Sequence, residues 1–234
     1  MLLSTGRILL MSEAQHPRLI DDLVAGAHAV ARAGLVNAFG HLSCRTSTGR
    51  LLITPPVAPG RIASSMEWTE LEVAGDTLPA GVPREAWIHL AIYRVRPDVS
   101  AICRAQPPIA TALTSAGVPI VPLHGQGSYV GSLVPVFNDA VLVRDETRAA
   151  QLADDLGQSP ALILRGNGAV TVGATIGEAV ARMWVLEASA QLNSVAAAAG
   201  TPAALSADEQ AAWQSTATEI LGRIWDYLRQ PALP

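Results

Sequence analysis

The side chains in this sequence that could do chemistry fall into a few short groups. Glu85 and His89 are four residues apart in Arg84-Glu85-Ala86-Trp87-Ile88-His89-Leu90, so on a helix they share one face. The apolar run Ser100 to Cys103 is followed by Arg104-Ala105-Gln106. A buried strand ending this way delivers Arg104 and Gln106 to one face, a position that usually borders a site. His41 follows Phe39-Gly40, His124 precedes Gly125-Gln126-Gly127, and Asn167 stands between Gly166 and Gly168. A carboxylate and an imidazole can move protons near neutral pH. A guanidinium grips a carboxylate or other oxyanion in bidentate fashion, and a carboxamide orients carbonyls and hydroxyls.

Each of these residues also has an ordinary explanation. Glu85 could be a first-turn carboxylate favoured by the helix dipole, and Arg104 could be paired with a neighbouring acid such as Glu85. His89 reads as a satisfied core histidine, His124 as a surface-loop residue, and His41 as a group that shapes the entry to a hairpin. A rival grouping is Glu85, His89 and His124, with His41 able to replace one histidine. It would supply two imidazoles and a carboxylate, the ligand set of a non-haem iron site, against which the charge of Arg104 would act.

The elements that must position these groups are legible from period and punctuation. The spacing predicts a helix over 17–33, with Pro17 in its first turn and Gly34 at its stop. Leu42 to Arg45 and Leu51 to Thr54 flank a Thr46-Ser47-Thr48-Gly49 turn and read as a hairpin, and Leu71 to Val73 as a short strand. The Glu85 helix ends at Arg96-Pro97. A short helix over 108–115 and a strand over 118–123 ending at His124 are predicted next. Asp145 suits the N-cap of a helix running to Leu156 before Gly157. Strands over 161–164 and 169–172 surround the Gly166-Asn167-Gly168 turn, and long helices are predicted over 175–198 and 206–228. Interleaved strands and helices imply one central sheet covered on both faces, and the hairpins make that sheet mixed or antiparallel.

Composition narrows the function. The chain has 234 residues, half of them apolar, enough for one sizeable core. We expect a disordered leader over 1–16, with translation starting at Met1 or Met11, and a single domain over 17–234. A net charge of -4 without blocks of like charge leaves no footprint for nucleic acid or an anionic membrane, so a small-molecule substrate is the expected partner. All sixteen basic residues are arginine. Schiff-base aldolase chemistry, a pyridoxal phosphate aldimine and a P-loop each need a lysine and are excluded. Cys44 and Cys103 lack zinc-site spacing, so reduced buried thiols in a cytoplasmic protein are the default. No window approaches the ~20 apolar residues of a membrane span.

Several ordered motifs resemble the class II aldolase/adducin family. These are Glu85 through Val99 with the following strand and Pro107 to Leu113, Ala38-Phe39-Gly40-His41-Leu42-Ser43-Cys44-Arg45, His124 through Phe137, Leu142 to Asp145, and Leu164-Arg165-Gly166 through Val170. They are similar to a branch of hydroxypyridine-carboxylate decarboxylases and of oxygenases that shorten prenylated aryl pyruvates. The resemblance implies a three-layer α/β/α sandwich with a central mixed, largely antiparallel sheet. It places Glu85 at the family's acid/base position. It also implies that the histidines holding a divalent metal in the family are replaced here by Arg104, Gln106 and Asn167, so no metal and no cofactor are expected.

The resemblance further implies a homo-oligomer, a tetramer, in which Trp225 and Tyr227 could line a neighbour's site. The resulting expectation is a metal-independent lyase of specialised metabolism acting on a small carboxylate- or carbonyl-bearing, partly apolar substrate. Glu85 and His124 would move protons, Arg104 would hold a carboxylate or stabilise an enolate, and Gln106, Asn167 and His41 would bind substrate. Decarboxylation, aldol cleavage, dehydration and cyclisation share the enolate-like intermediate. A non-catalytic, adducin-like scaffold and an enzyme with a relocated iron or other metal site are the alternatives.

Overall fold

The structure, a computed structural model, describes residues 5–230. Its centre is a seven-stranded sheet in the order β3-β2-β1-β4-β7-β6-β5. The strands are β1 (His41–Arg45), β2 (Leu51–Ile53), β3 (Thr69–Leu71), β4 (Ala101–Ala105), β5 (Val136–Phe137), β6 (Ala161–Leu164) and β7 (Gly168–Gly173). Every neighbouring pair is antiparallel except β5 with β6. The sheet is therefore mixed and largely antiparallel, as the hairpins require.

Helices α1 (Thr5–Arg32), α3 (Pro108–Ser115), α5 (Ile176–Ala199) and α7 (Ala217–Leu228) cover one face. Helices α2 (Ala86–Val95) and α4 (Glu146–Leu156) cover the other. The alternation of strand residues divides the core accordingly. Leu42, Cys44, Cys103 and Ala105 pack towards α5, while Ile102, Val170 and Val172 pack towards α2 and α4. The intervening residues His41, Ser43 and Arg104 thus share the α2 face. The register seats His41 directly opposite Arg104.

Helix ends follow the expected chemistry. Asp145 caps α4 by accepting from Arg148 N–H, and Gly157 ends it at φ 50°. Thr175 caps α5 by accepting from Glu178 N–H.

Three expectations change. The helix predicted to begin at Pro17 begins instead at Thr5 and carries Pro17 inside it. Part of the expected 1–16 leader lies outside the described residues. Residues 118–123 do not form a strand: Pro119 and Pro122 cannot donate to a ladder, and the Asn193 side chain takes over the backbone groups of Val121, accepting from its N–H at 3.2 Å and donating to its C=O at 2.8 Å. The helix expected over 206–228 is two helices, α6 (Ala207–Gln214) and α7. At the break, Ser215 and Thr216 hydroxyls donate to the Ala212 and Trp213 carbonyls, the local side-chain bonding that competes with a helix ladder.

Among the described residues no helix is long and apolar enough to cross a membrane.

Candidate active site

Glu85 is the N-cap residue of α2, yet its side chain makes no capping bond. It turns instead towards the ends of β1, β4 and the β6–β7 turn. Arg104 Nη2 donates to its Oε2 at 3.4 Å, and Asn167 Nδ2 donates to its Oε1 at 3.3 Å. His41 Nε2 lies 3.8 Å from Oε2, an ion-pair separation too long for a hydrogen bond, so this buried nitrogen has no hydrogen-bond partner. Burial alone would raise the carboxyl's pKa. The neighbouring His41, the charge of Arg104 and the hydrogen bond from Asn167 together outweigh it and lower Glu85 to about 2.

Local backbone geometry explains how three separate segments reach one carboxylate. Asn167 belongs to a turn in which Gly166 and Gly168 have φ of 71° and 90°. A Cβ at Gly168 would stand 2.2 Å from Ala105 O, so only glycine lets this turn cross the end of β4. His41 reaches Glu85 because strand alternation turns it, with Ser43, to the α2 face.

Arg104 is 2% exposed. Its Nη1 donates to Ala105 O at 2.8 Å and its Nε has no partner. The guanidinium thus stands behind Glu85 rather than on the wall of the neighbouring cavity. That cavity, about 230 Å³, is lined by His41 and Glu85, by the apolar Phe39, Pro56 and Val57, and by Arg84 and Arg144 at its exposed rim.

The wider cluster adds Ser43 and Tyr93, which sequence reasoning did not select, to His89, which it did. His89 is fully buried, with Nε2 2.7 Å from His41 Nδ1 and Nδ1 2.6 Å from Ser43 Oγ. Ser43 Oγ is in turn 3.0 Å from Tyr93 Oη. Ser43 lies two strand residues from His41 and Tyr93 four helix residues from His89, so shared faces were the available signal. Burial lowers the pKa of His41, opposed by Glu85, and carries His89 well below the usual imidazole range. Both shifts favour the uncharged imidazole.

The remaining expected residues are placed elsewhere. His124 lies on the α5 side of the sheet, where its Nε2 is 3.1 Å from Ser189 Oγ, and within one chain it does not join the Glu85 cluster. Gln106 is half-buried beyond the end of β4, its backbone N–H donating to Leu35 O at 2.8 Å. Trp225 packs on Gly177 of α5, and Tyr227 is exposed. Cys44 and Cys103 are buried, and desolvation pushes both thiols up to about 12.

The set Glu85, His89 and His124 does not converge: both nitrogens of His89 are engaged and His124 lies across the sheet. Arg104, Gln106 and Asn167, expected from the resemblance to stand at metal-holding positions, are a buried guanidinium and two carboxamides. This donor set does not fit a divalent cation, which Arg104 would repel.

The family described as class II aldolase and adducin N-terminal domain matches residues 21–194. The chain belongs to this family. A 3,4-dihydroxyphthalate decarboxylase of Terrabacter sp. is 32% identical to this family member over 211 residues, 82% of this chain and 87% of the relative. Another decarboxylase of that name, from Arthrobacter keyseri, is 28% identical over 205 residues, covering 81% and 83%. Among solved structures, an L-fuculose 1-phosphate aldolase of Glaciozyma antarctica superposes with a TM-score of 0.78 at 24% identity, covering 93% of this chain and 90% of the other. The L-fuculose-1-phosphate aldolase of Thermus thermophilus gives 0.70 at 30% identity, covering 80% and 98%. The α/β/α architecture is thus that of the class II aldolases.

Proposed function

We propose that this family member is a lyase that decarboxylates a small hydroxylated aromatic or similarly flat, partly apolar carboxylate without a metal ion. The observation that carries the reading is one ionised carboxylate, Glu85, beside a cavity with an apolar wall and a cationic rim. Phe39, Pro56 and Val57 suit an aromatic ring better than a sugar phosphate. Arg84 and Arg144 suit one or two carboxylates. The decarboxylase names of the two relatives supply the reaction class.

In this reading Glu85 accepts the proton of a ring hydroxyl, and an anionic substrate beside it raises its proton affinity. The same proton then passes to the ring carbon bearing the carboxylate. The bond between that carbon and the carboxylate breaks, its electron pair restores the ring as a phenolate, carbon dioxide leaves, and the phenolate takes a proton from solvent. His41 Nε2 faces the substrate oxygen, Asn167 holds the Glu85 carboxylate in place, and Arg104 keeps Glu85 ionised from behind. His124 acts from a neighbouring chain of a homo-oligomer, a tetramer in this proposal.

The test is carbon dioxide release from 3,4-dihydroxyphthalate and a panel of hydroxyaryl carboxylates, with and without chelator and added divalent ions. Turnover insensitive to chelation is expected. Activity lost on chelation and restored by a divalent ion would overturn the metal-free mechanism. Binding of these compounds without turnover would instead support a non-catalytic, scaffold-like member.

A further inference from the structure

We infer that His89, backed by Ser43 and Tyr93, is a positioning residue that holds His41 in a single neutral tautomer with the proton on Nε2. The inference deepens the decarboxylase reading, but its geometric part stands on the hydrogen bonds alone. Tyr93 Oη, Ser43 Oγ, the two nitrogens of His89 and those of His41 form one unbranched buried chain, with links of 3.0, 2.6 and 2.7 Å.

Only one direction along that chain leaves no hydroxyl proton stranded and turns an N–H rather than a lone pair towards Glu85. Among the described residues the Tyr93 hydroxyl has Ser43 Oγ as its hydrogen-bond partner, so Tyr93 donates to Ser43. The Ser43 hydroxyl must then donate to His89 Nδ1. A neutral His89 with a bare Nδ1 carries its proton on Nε2 and donates it to His41 Nδ1. His41 is left with its proton on Nε2, 3.8 Å from the Glu85 carboxylate. The opposite direction strands the buried hydroxyl proton of Tyr93 and sets the bare lone pair of His41 against an anion, two unfavourable arrangements at once.

The consequence is specific to the reaction. A fixed Nε2–H donor beside Glu85 is a preorganised hydrogen bond for a substrate oxygen that gains negative charge. The chain is a clamp rather than a proton wire to solvent: its far end is a buried phenol whose pKa burial raises, so it does not release a proton.

The imidazole nitrogen shifts of His41, read in long-range proton–nitrogen correlation spectra, test the assignment without any substrate. The Nε2–H tautomer is expected in the native protein and in Glu85→Gln, because the internal chain sets it. His89→Gln can accept from Ser43 and donate to His41 and should keep that signature, whereas His89→Met should let both tautomers populate. With an active substrate, His89→Met should lower kcat about tenfold with little change in KM, and His89→Gln should recover most of the loss. An Nδ1–H tautomer in the native protein, a switch of tautomer in Glu85→Gln, or an unchanged His89→Met spectrum would overturn the inference. Should no substrate turn over, the spectra still decide the positioning role, while the decarboxylase reading alone falls.

Discussion

His41 and Arg104 are paired directly across the β1–β4 ladder, and both reach the same carboxylate oxygen of Glu85. The neutral imidazole and the permanent cation do different things there. Arg104 supplies charge from behind, and His41 presents a nitrogen beside the cavity.

Glu85→Gln should abolish most turnover, about a hundredfold or more, because the amide cannot take a proton. It also leaves the 2% exposed Arg104 without its counter-charge, so we expect a stability loss of about 3 kcal/mol in urea unfolding. The folded pKa of Glu85 is depressed from 4.5 to about 2. Its contribution to stability is therefore fully present above about pH 4.5 and is lost as the pH falls towards 2. The gap in stability between native protein and Glu85→Gln should close over that window.

Arg104→Met removes one of the groups that lower the Glu85 pKa. The acidic limb of kcat/KM should move to higher pH, because activity needs the ionised carboxylate. A limb that stays in place would separate Arg104 from Glu85 in function.

Phe39 is 72% exposed at the cavity wall and packs little of the core. Phe39→Ala should change stability by no more than about 0.5 kcal/mol. KM for aromatic carboxylates should rise several-fold, measured by steady-state kinetics.

Arg84→Ala and Arg144→Ala should weaken dicarboxylates more than monocarboxylates, each by about tenfold in KM. The difference should shrink as salt is raised, since the rim is exposed and screened. Equal loss for both substrate types would argue that the rim does not read the second carboxylate.

Asn193 is 2% exposed and bonds both backbone groups of Val121. Asn193→Leu should cost about 2–3 kcal/mol in unfolding experiments, because the segment cannot satisfy those groups within a ladder.

Much of the scaffold was legible in local patterns. The α2 helix, the β1–β2 hairpin, the Asp145 and Gly157 helix ends and the Gly166-Asn167-Gly168 turn follow from period, capping and glycine chemistry. Glu85, Arg104, Gln106 and Asn167 were singled out through the resemblance of their surroundings to a family; the structure brings Glu85, Arg104 and Asn167 together and leaves Gln106 apart. The misread strand over 118–123 shows the limit. Its apolar residues look strand-like, but whether backbone groups find a ladder or the side chain of a distant asparagine is decided by tertiary packing.

The sequence by itself determined most of the element types, the two-sided sheet and the exclusion of lysine chemistry, because these depend on residue identity and on spacing within a few residues. Only the tertiary structure decided that Arg104 stands behind Glu85 rather than on the cavity wall, that His124 lies across the sheet, and that His89 belongs to a buried chain ending at His41. Those facts depend on strand register and on which helix covers which face, and both arise from contacts between residues far apart in the chain.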